Sequence, residues 1–118
     1  MGVRMAVLAT HLKPIEDAHD VLGLTYKQIA AALHADESTL HRWRGGDAEP
    51  SHVYCGRLEA LGELVSELLG TVTPEGARLW LATEIPALGG EKPVDILAGG
   101  RIEPLVRLLL QVNLGTSL

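Results

Sequence analysis

The segment spanning residues 101–114 constrains the fold of this chain most strongly, because its apolar residues cover most of a helical circumference. At about 3.6 residues per turn, only the polar stripe of Glu103, Arg107 and Gln111 interrupts them, and Glu103 and Arg107 are spaced for an ion pair. The apolar set is Ile102, Leu105, Val106, Leu108, Leu109, Leu110, Val112 and Leu114. A helix this apolar needs a cover, and the sequence predicts that a second protein supplies it.

A helix start precedes this segment, and a series of short motifs connects the two. Thr73 suits an N-cap, Pro74 suits the first helical position, and Glu75 faces the positive end of the helix dipole. The motifs that follow are Trp80-Leu81, Pro86, Leu88-Gly89-Gly90, Lys92-Pro93, Ile96-Leu97, Leu108-Leu109 and Gly115. In this order they resemble the C-terminal toxin-binding domain of the Xre/MbcA/ParS antitoxins, and the resemblance covers roughly residues 60–118.

The resemblance implies a partner, namely a RES-domain toxin that consumes NAD, and it places this end of the chain against the active-site cleft of that toxin. The toxin-binding residues that it implies are Arg101, Leu105, Arg107, Leu108, Gln111, Leu114, Gly115, Thr116, Ser117 and Leu118. From the residues alone, the last four positions are typical of an ordinary frayed chain end. By the same reasoning, Trp80 and Leu81 are expected in the core.

Residues 24–46 predict two short helices joined by a tight turn. Thr25 suits the cap of the first helix, Asp36 suits the cap of the second, and Gly45-Gly46 ends the pair. The expected buried residues are Ile29, Ala30, Ala32, Leu33, Leu40 and Trp43. The spacing is that of a helix-turn-helix, and the stretch resembles Xre-type repressor domains. It departs from them at His34, where such motifs usually have glycine, and a positive φ there has some cost for histidine.

If the second helix of this pair enters a major groove, its outward side chains contact DNA. The expected DNA-binding residues are Gln28, Ser38, Thr39, His41, Arg42 and Arg44. Arg42 suits a guanine edge, Gln28 a phosphate at the start of the first helix, and Arg44 the backbone charge. The alternative is a structural helical hairpin with a solvated outer face, which Glu37 and the acidic net charge favour.

Two further helices are expected outside these regions. Residues 51–69 predict one long helix, with a buried seam of Leu58, Leu61, Val65 and Leu68. The opposite side carries an acidic stripe of Glu59, Glu63 and Glu67, interpreted either as solvated or as a docking stripe for a basic partner. Upstream, the sequence predicts a helix over residues 14–22 that begins at Pro14. The apolar residues within residues 1–13 show no clear helical or strand periodicity.

Composition limits the classes of function that remain. With 118 residues, the chain has room for one compact domain or two helical modules that share a core. A net charge of −5 argues against holding nucleic acid by charge alone. The single cysteine, the lack of a signal peptide and the lack of a bilayer-length apolar run predict a cytoplasmic protein without membrane contact. No metal-ligand spacing, cofactor loop or nucleophile–base pair is present, so no metal, cofactor or enzymatic activity is expected.

The sequence therefore predicts an all-α protein in three segments. They are a helix-turn-helix module over residues 1–50, a connecting helix over residues 51–70, and a toxin-binding or dimerisation module over residues 71–118. The first hypothesis is a homodimeric antitoxin that blocks a RES-domain toxin and represses its own operon by binding operator DNA. The alternative is a stand-alone transcriptional regulator whose C-terminal half serves only for dimerisation.

Overall fold

The structure, a computed structural model, describes the backbone of residues 2–113 and the side chains of residues 11–112. Within that range every regular element is a helix, which confirms the predicted all-α fold. The elements are α1 (Gly2–Asp20), α2 (Tyr26–Ala32), α3 (Glu37–Arg44), α4 (His52–Thr71), α5 (Pro74–Leu81), a 3-10 turn (Pro86–Leu88), α6 (Pro93–Ala98) and α7 (Glu103–Asn113). None of these helices is long and apolar enough to cross a membrane.

Helix α4 is the centre of the fold, because both α1 and α7 pack against it. Its buried residues are Leu58, Leu61, Leu64, Val65 and Leu68. The predicted seam of four residues is therefore confirmed, and Leu64 widens it. The helix begins after Ser51, as expected, and continues to Thr71, slightly beyond the predicted end. The element predicted to connect two modules is thus also the helix on which both are built.

The buried side chains form one core cluster that draws on all three predicted segments. Its members include Ile15 and Leu33 from the N-terminal segment, Leu61 from α4, and Leu97 and Leu105 from the C-terminal segment. Helix α6 also packs directly against α2. The N-terminal and C-terminal parts of the chain therefore share a single hydrophobic core.

Helix α1 begins well before Pro14, so the prediction that Pro14 starts it is wrong. Proline inside a helix removes one backbone hydrogen bond and crowds the preceding turn, which is why it was expected at the helix start. In the structure its ring packs on α4 at Gly62, where an added Cβ would lie 3.1 Å from Pro14 Cγ. Beyond it, Ile15, Ala18 and Leu22 are buried. Tertiary packing therefore keeps the helix continuous past a residue that locally disfavours it.

The pair α2–α3 has the predicted boundaries and the predicted buried face. Thr25 Oγ1 accepts a hydrogen bond from the Gln28 N–H at 3.0 Å, and Gln28 Oε1 accepts one from the Thr25 N–H at 2.9 Å. This reciprocal capping box fixes the start of α2. Asp36 occupies the N-cap position of α3, but its side chain makes no capping hydrogen bond. His34 has the expected positive φ, +58°. The six predicted core residues are all buried: Ile29, Ala30, Ala32, Leu33, Leu40 and Trp43.

Helix α7 begins at Glu103, later than the predicted start at position 101. The reason is Pro104, which lacks an N–H and so fits the first turn, where that donor would have no helical partner. The ion pair predicted between Glu103 and Arg107 does not form. Upstream, the predicted start of α5 is confirmed, because Thr73 Oγ1 accepts the Gly76 N–H at 3.1 Å.

The prediction that a second protein must cover α7 is wrong for most of its apolar face. Helix α4 covers that face from within the chain. The apolar residues with at most 8% exposure are Ile102, Leu105, Val106, Leu108 and Leu109. Leu110 and Val112 remain 37% and 41% exposed, and Leu114 lies outside the described residues. The apolar surface of α7 that stays exposed to solvent is therefore small and lies near the described end of the helix.

Candidate functional site

The outward face of α3 lies on the protein surface, as predicted. Ser38, His41 and Arg42 are exposed, and Thr39 is half-buried. Arg42 Nη2 donates to Thr39 Oγ1 at 3.2 Å, and His41 Nε2 lies 3.3 Å from a carboxylate oxygen of Glu37. Within the described part of the chain, Arg42 has no acidic partner. Its positive charge is therefore available to a ligand.

Arg44, in contrast, is engaged inside the chain. Its Nε donates to Glu16 Oε1 at 2.6 Å, and its guanidinium lies 4.2 Å from the centre of the Tyr26 ring. The hydrogen bond to Glu16 raises the pKa of Arg44 above its ordinary value. The His19 ring stacks on Tyr26 at 3.9 Å. Arg44 therefore holds α3 against α1, and its charge is already balanced, which weakens the basis for its predicted contact with DNA.

Gln28 is oriented by the helix cap. Because its Oε1 accepts the Thr25 N–H, the amide nitrogen points away from that bond and keeps its donors. This donor lies at the N-terminus of α2, the position from which the sequence predicts a phosphate contact. The structure is therefore compatible with that prediction.

The residues predicted to contact a partner in and around α7 differ in their solvent exposure. Leu105 is fully buried, so its predicted direct contact is wrong and it stabilises the core instead. Leu108 is 8% exposed. Arg101, Arg107 and Gln111 are exposed, as a contact role requires, and Arg101 Nη2 lies 3.3 Å from Glu91 Oε1. The remaining predicted contacts lie outside the described residues: Leu114, Gly115, Thr116, Ser117 and Leu118.

An open apolar groove, which the sequence did not predict, lies between the 3-10 turn, α5 and α7. Its volume is about 430 Å³. We call it the apolar groove, and its lining residues are Trp80, Ile85, Pro86, Ala87, Leu108, Leu109 and Val112. None of them is charged, and Trp80 is half-buried rather than fully in the core. Trp80 and Pro86 both belong to the motif series, which was the available signal for this site.

A second, mixed groove of about 280 Å³ runs between α4 and α7. Its lining residues are Ala60, Glu63, Glu103, Val106, Arg107 and Leu110. Glu59 and Glu63 of the acidic stripe are exposed on α4. The docking interpretation of that stripe stays a prediction, but the structure places Glu63 beside Arg107 and the partly exposed Leu110.

The described residues contain no convergent metal-binding group. No cluster of three or more His, Cys, Asp or Glu side chains lies among them. Cys55 is half-buried, and its Sγ donates to the Pro50 carbonyl oxygen at 3.7 Å. The candidate sites among the described residues are the outward face of α3 and the two grooves beside α7.

Comparison with known proteins bears on these surfaces. No protein-family model matches the chain. A probable mycobacterial cidal antitoxin of Mycobacterium tuberculosis is 35% identical over 95 residues, which cover 80% of this chain and 81% of that protein. The mycobacterial cidal antitoxin MbcA of Mycobacterium bovis is 27% identical over 109 residues, 92% of each chain.

A solved structure has the same fold. The crystal structure of the M. tuberculosis MbcT–MbcA toxin–antitoxin complex matches with a TM-score of 0.68 and 22% identity, over 91% of this chain and 96% of that chain. At this identity the structural match establishes the fold, and the 35% identical relative establishes the family. The chain belongs to the MbcA-type mycobacterial cidal antitoxins and is therefore an antitoxin of a toxin–antitoxin system.

Proposed function

We propose that this antitoxin neutralises a RES-domain toxin that degrades NAD, by binding over the active site of that toxin. The observation that carries the proposal is membership of the antitoxin family. The toxin class rests on the resemblance of the motifs between Trp80 and Gly115. The structurally similar complex, in which MbcA is paired with the toxin MbcT, supports a protein partner.

The apolar groove is the surface that best fits this partner. It combines an uncharged lining with the exposed Val112, while Gln111 and Arg107 of α7 are also exposed. Stable interfaces typically have such an apolar centre. Leu105 contributes indirectly, because it fixes α7 on α4.

The chain acts by occupying a surface and not by catalysis. Neutralisation should therefore be stoichiometric. Titrating purified toxin with this chain should inhibit NAD degradation in proportion to complex formed, whereas inhibition by trace amounts of chain would contradict a binding mechanism.

Co-expression with the neighbouring reading frame tests the proposed partner. We expect that frame, expressed alone, to deplete cellular NAD and stop growth, and this chain to restore both. The control is the same chain with Leu61→Ala, which opens a cavity in the core and should cost about 2–5 kcal/mol of folding free energy, weakening rescue. A frame that does not deplete NAD, or a depletion that this chain does not reverse, would contradict the proposal.

We also infer that α2 and α3 form a helix-turn-helix with which the antitoxin binds its own promoter. The support is the exposed face of α3, the exposed guanidinium of Arg42 and the free amide donor of Gln28. A homodimer would present two such helices to two half-sites. The exposed Leu110 is a candidate dimer contact, and sedimentation of the purified chain should give the mass of a dimer.

Arg42→Ala tests the DNA proposal. Loss of a guanine contact should weaken binding to the promoter fragment by about 1–3 kcal/mol and reduce base preference at one position. Arg107→Ala removes the same charge from exposed α7 and should leave promoter affinity unchanged. Equal effects of the two variants would indicate general charge attraction and remove the assigned role of Arg42.

The alternative predicted from the sequence, a stand-alone transcriptional regulator, is not supported by the comparisons, because the chain belongs to a family of antitoxins. Such a regulator differs from the antitoxin in one measurable respect. A regulator would bind its operator and would not form a complex with the product of the neighbouring frame, so a pull-down between the two purified proteins discriminates between the candidates.

A further inference from the structure

The turn between α2 and α3 contains an unusual backbone position. Among the described residues, His34 is the only non-glycine residue with a positive φ. Glycine adopts this conformation without steric strain, whereas a residue with a Cβ does so at a cost. A strained conformation of this kind persists when the side chain or its surroundings require it. The histidine ring is therefore the place to look for a role.

The His34 ring lies directly on the turn that precedes α7. Its Nε2 is 3.0 Å from the carbonyl oxygen of Gly100, so the tautomer protonated at Nε2 donates to that oxygen. Gly100 has a φ of +77°, and a Cβ added there would overlap the imidazole ring. The two unusual backbone positions thus fit each other, although one lies in the N-terminal segment and the other in the C-terminal segment.

Helix α4 holds the other side of the same turn. Tyr54 Oη donates to the His34 carbonyl oxygen at 3.2 Å, and Arg57 Nη1 donates to the Leu33 carbonyl oxygen at 3.3 Å. The turn is therefore fixed between α4 and Gly100. Because the His34 ring contacts Gly100 directly, a displacement of the segment that leads into α7 would act on that ring.

We propose that His34 is a positioning residue that couples the α2–α3 turn to the start of α7, so that a protein bound at α7 alters the helix pair that binds DNA. This regulation rests on the proposed function for its two binding surfaces. The contact itself is independent of any partner. By linkage, the same contact transmits DNA binding back to α7.

The first experiment uses the free full-length chain and perturbs one end of the contact. Gly100→Ala should accelerate hydrogen exchange of the His34 and Ala35 amides, which bond to the carbonyls of Ala31 and Ala30, by at least about fivefold. Gly90→Ala is the matched control, since Gly90 also has a positive φ, +82°, and nothing lies near its added Cβ. It should leave those amides unchanged.

The variant His34→Gly distinguishes the effect of the imidazole ring from the effect of the backbone conformation at this position. Glycine suits φ near +58°, so the turn should form, while the contact with Gly100 is lost. When Gly100→Ala is combined with His34→Gly, it should have no greater effect than Gly90→Ala. This holds both for hydrogen exchange of the turn amides and for the urea concentration at the midpoint of unfolding. If Gly100→Ala perturbs residues 33–36 equally with and without the histidine ring, or never perturbs them, the coupling is refuted.

The second experiment adds the purified toxin from the co-expression system. In the wild-type complex, the amides of residues 33–36 should be protected by at least about fivefold. His34→Gly should bind toxin with unchanged affinity and lose this protection. Protection retained in His34→Gly, or absent from a wild-type complex that forms, would overturn the proposal. A wild-type chain that does not bind the toxin instead refutes the proposed function, and the free-chain experiment still decides the coupling.

Discussion

Two helix N-caps in this chain differ by a side-chain hydrogen bond. Thr25 donates and accepts within a complete capping box at the start of α2, whereas Asp36 makes no side-chain capping bond at the start of α3. Such a bond satisfies a backbone N–H that would otherwise lack a helical partner. The cap of α2 should therefore contribute more to folding stability than the cap of α3.

Alanine substitutions at the two caps test this difference. Thr25→Ala should lower the free energy of unfolding by about 1 kcal/mol. Asp36→Ala should cost only a few tenths, from the lost attraction between its carboxylate and the helix dipole. Urea unfolding followed by circular dichroism measures both. Equal losses would show that the Thr25 hydrogen bond adds nothing beyond a charge or a backbone preference.

At the scale of helices, the contact between α1 and α4 depends on Gly62. An added Cβ there would lie 3.1 Å from Pro14 Cγ, while one at Gly56, on the same helix, would meet nothing within 4 Å. Alanine normally stabilises a helix relative to glycine by about 0.5–1 kcal/mol. That gain should appear only where there is space for the methyl group.

The pair Gly62→Ala and Gly56→Ala therefore forms a controlled comparison. Gly56→Ala should raise the free energy of unfolding, and Gly62→Ala should be at least about 1 kcal/mol less favourable, because the rigid proline ring must move. Thermal or urea unfolding measures the difference. A Gly62→Ala variant as stable as Gly56→Ala would mean that α1 is not seated on α4 through Pro14.

The elements predictable from sequence were those that local chemistry determines. Thr25 and Thr73 identified helix starts because their hydroxyl groups act within one turn. The place of Pro14 within α1 was not predictable in this way, because its tolerance depends on Gly62, which is distant in sequence. The cover of α7 was missed for a related reason, since periodicity shows that an apolar face needs a cover but does not show that α4 supplies it.

At the scale of the molecule, the chain should unfold as one unit. Its core cluster runs through all three predicted segments, and Arg78 of α5 donates to the Val21 carbonyl oxygen at 2.6 Å, a further link between the two ends of the sequence. Small domains with one continuous core usually unfold in a single cooperative transition. The apolar groove also depends on the folded molecule as a whole, because its lining includes Trp80 from α5 and Val112 from α7.

The two tryptophans test this cooperativity, since Trp43 lies in α3 and Trp80 in α5. Trp43→Phe leaves a fluorescence probe only in the C-terminal part, and Trp80→Phe leaves one only in the N-terminal part. In each variant the fluorescence midpoint in urea should coincide with the circular dichroism midpoint of the whole chain. Distinct midpoints within one variant would show that the two parts unfold separately.

The proposed binding of the toxin through the apolar groove is tested by the effect of Val112→Asp on inhibition of the NAD degradation proposed for that toxin. Val112 is exposed and lines the apolar groove, and Val53, 60% exposed on α4, lies outside it and provides the matched control Val53→Asp. With folding verified by circular dichroism, Val112→Asp should raise the inhibition constant at least about tenfold, because the interface would bury an unpaired charge. Val53→Asp should leave it unchanged. Full inhibition by Val112→Asp, or equal losses from both variants, would contradict binding through the apolar groove.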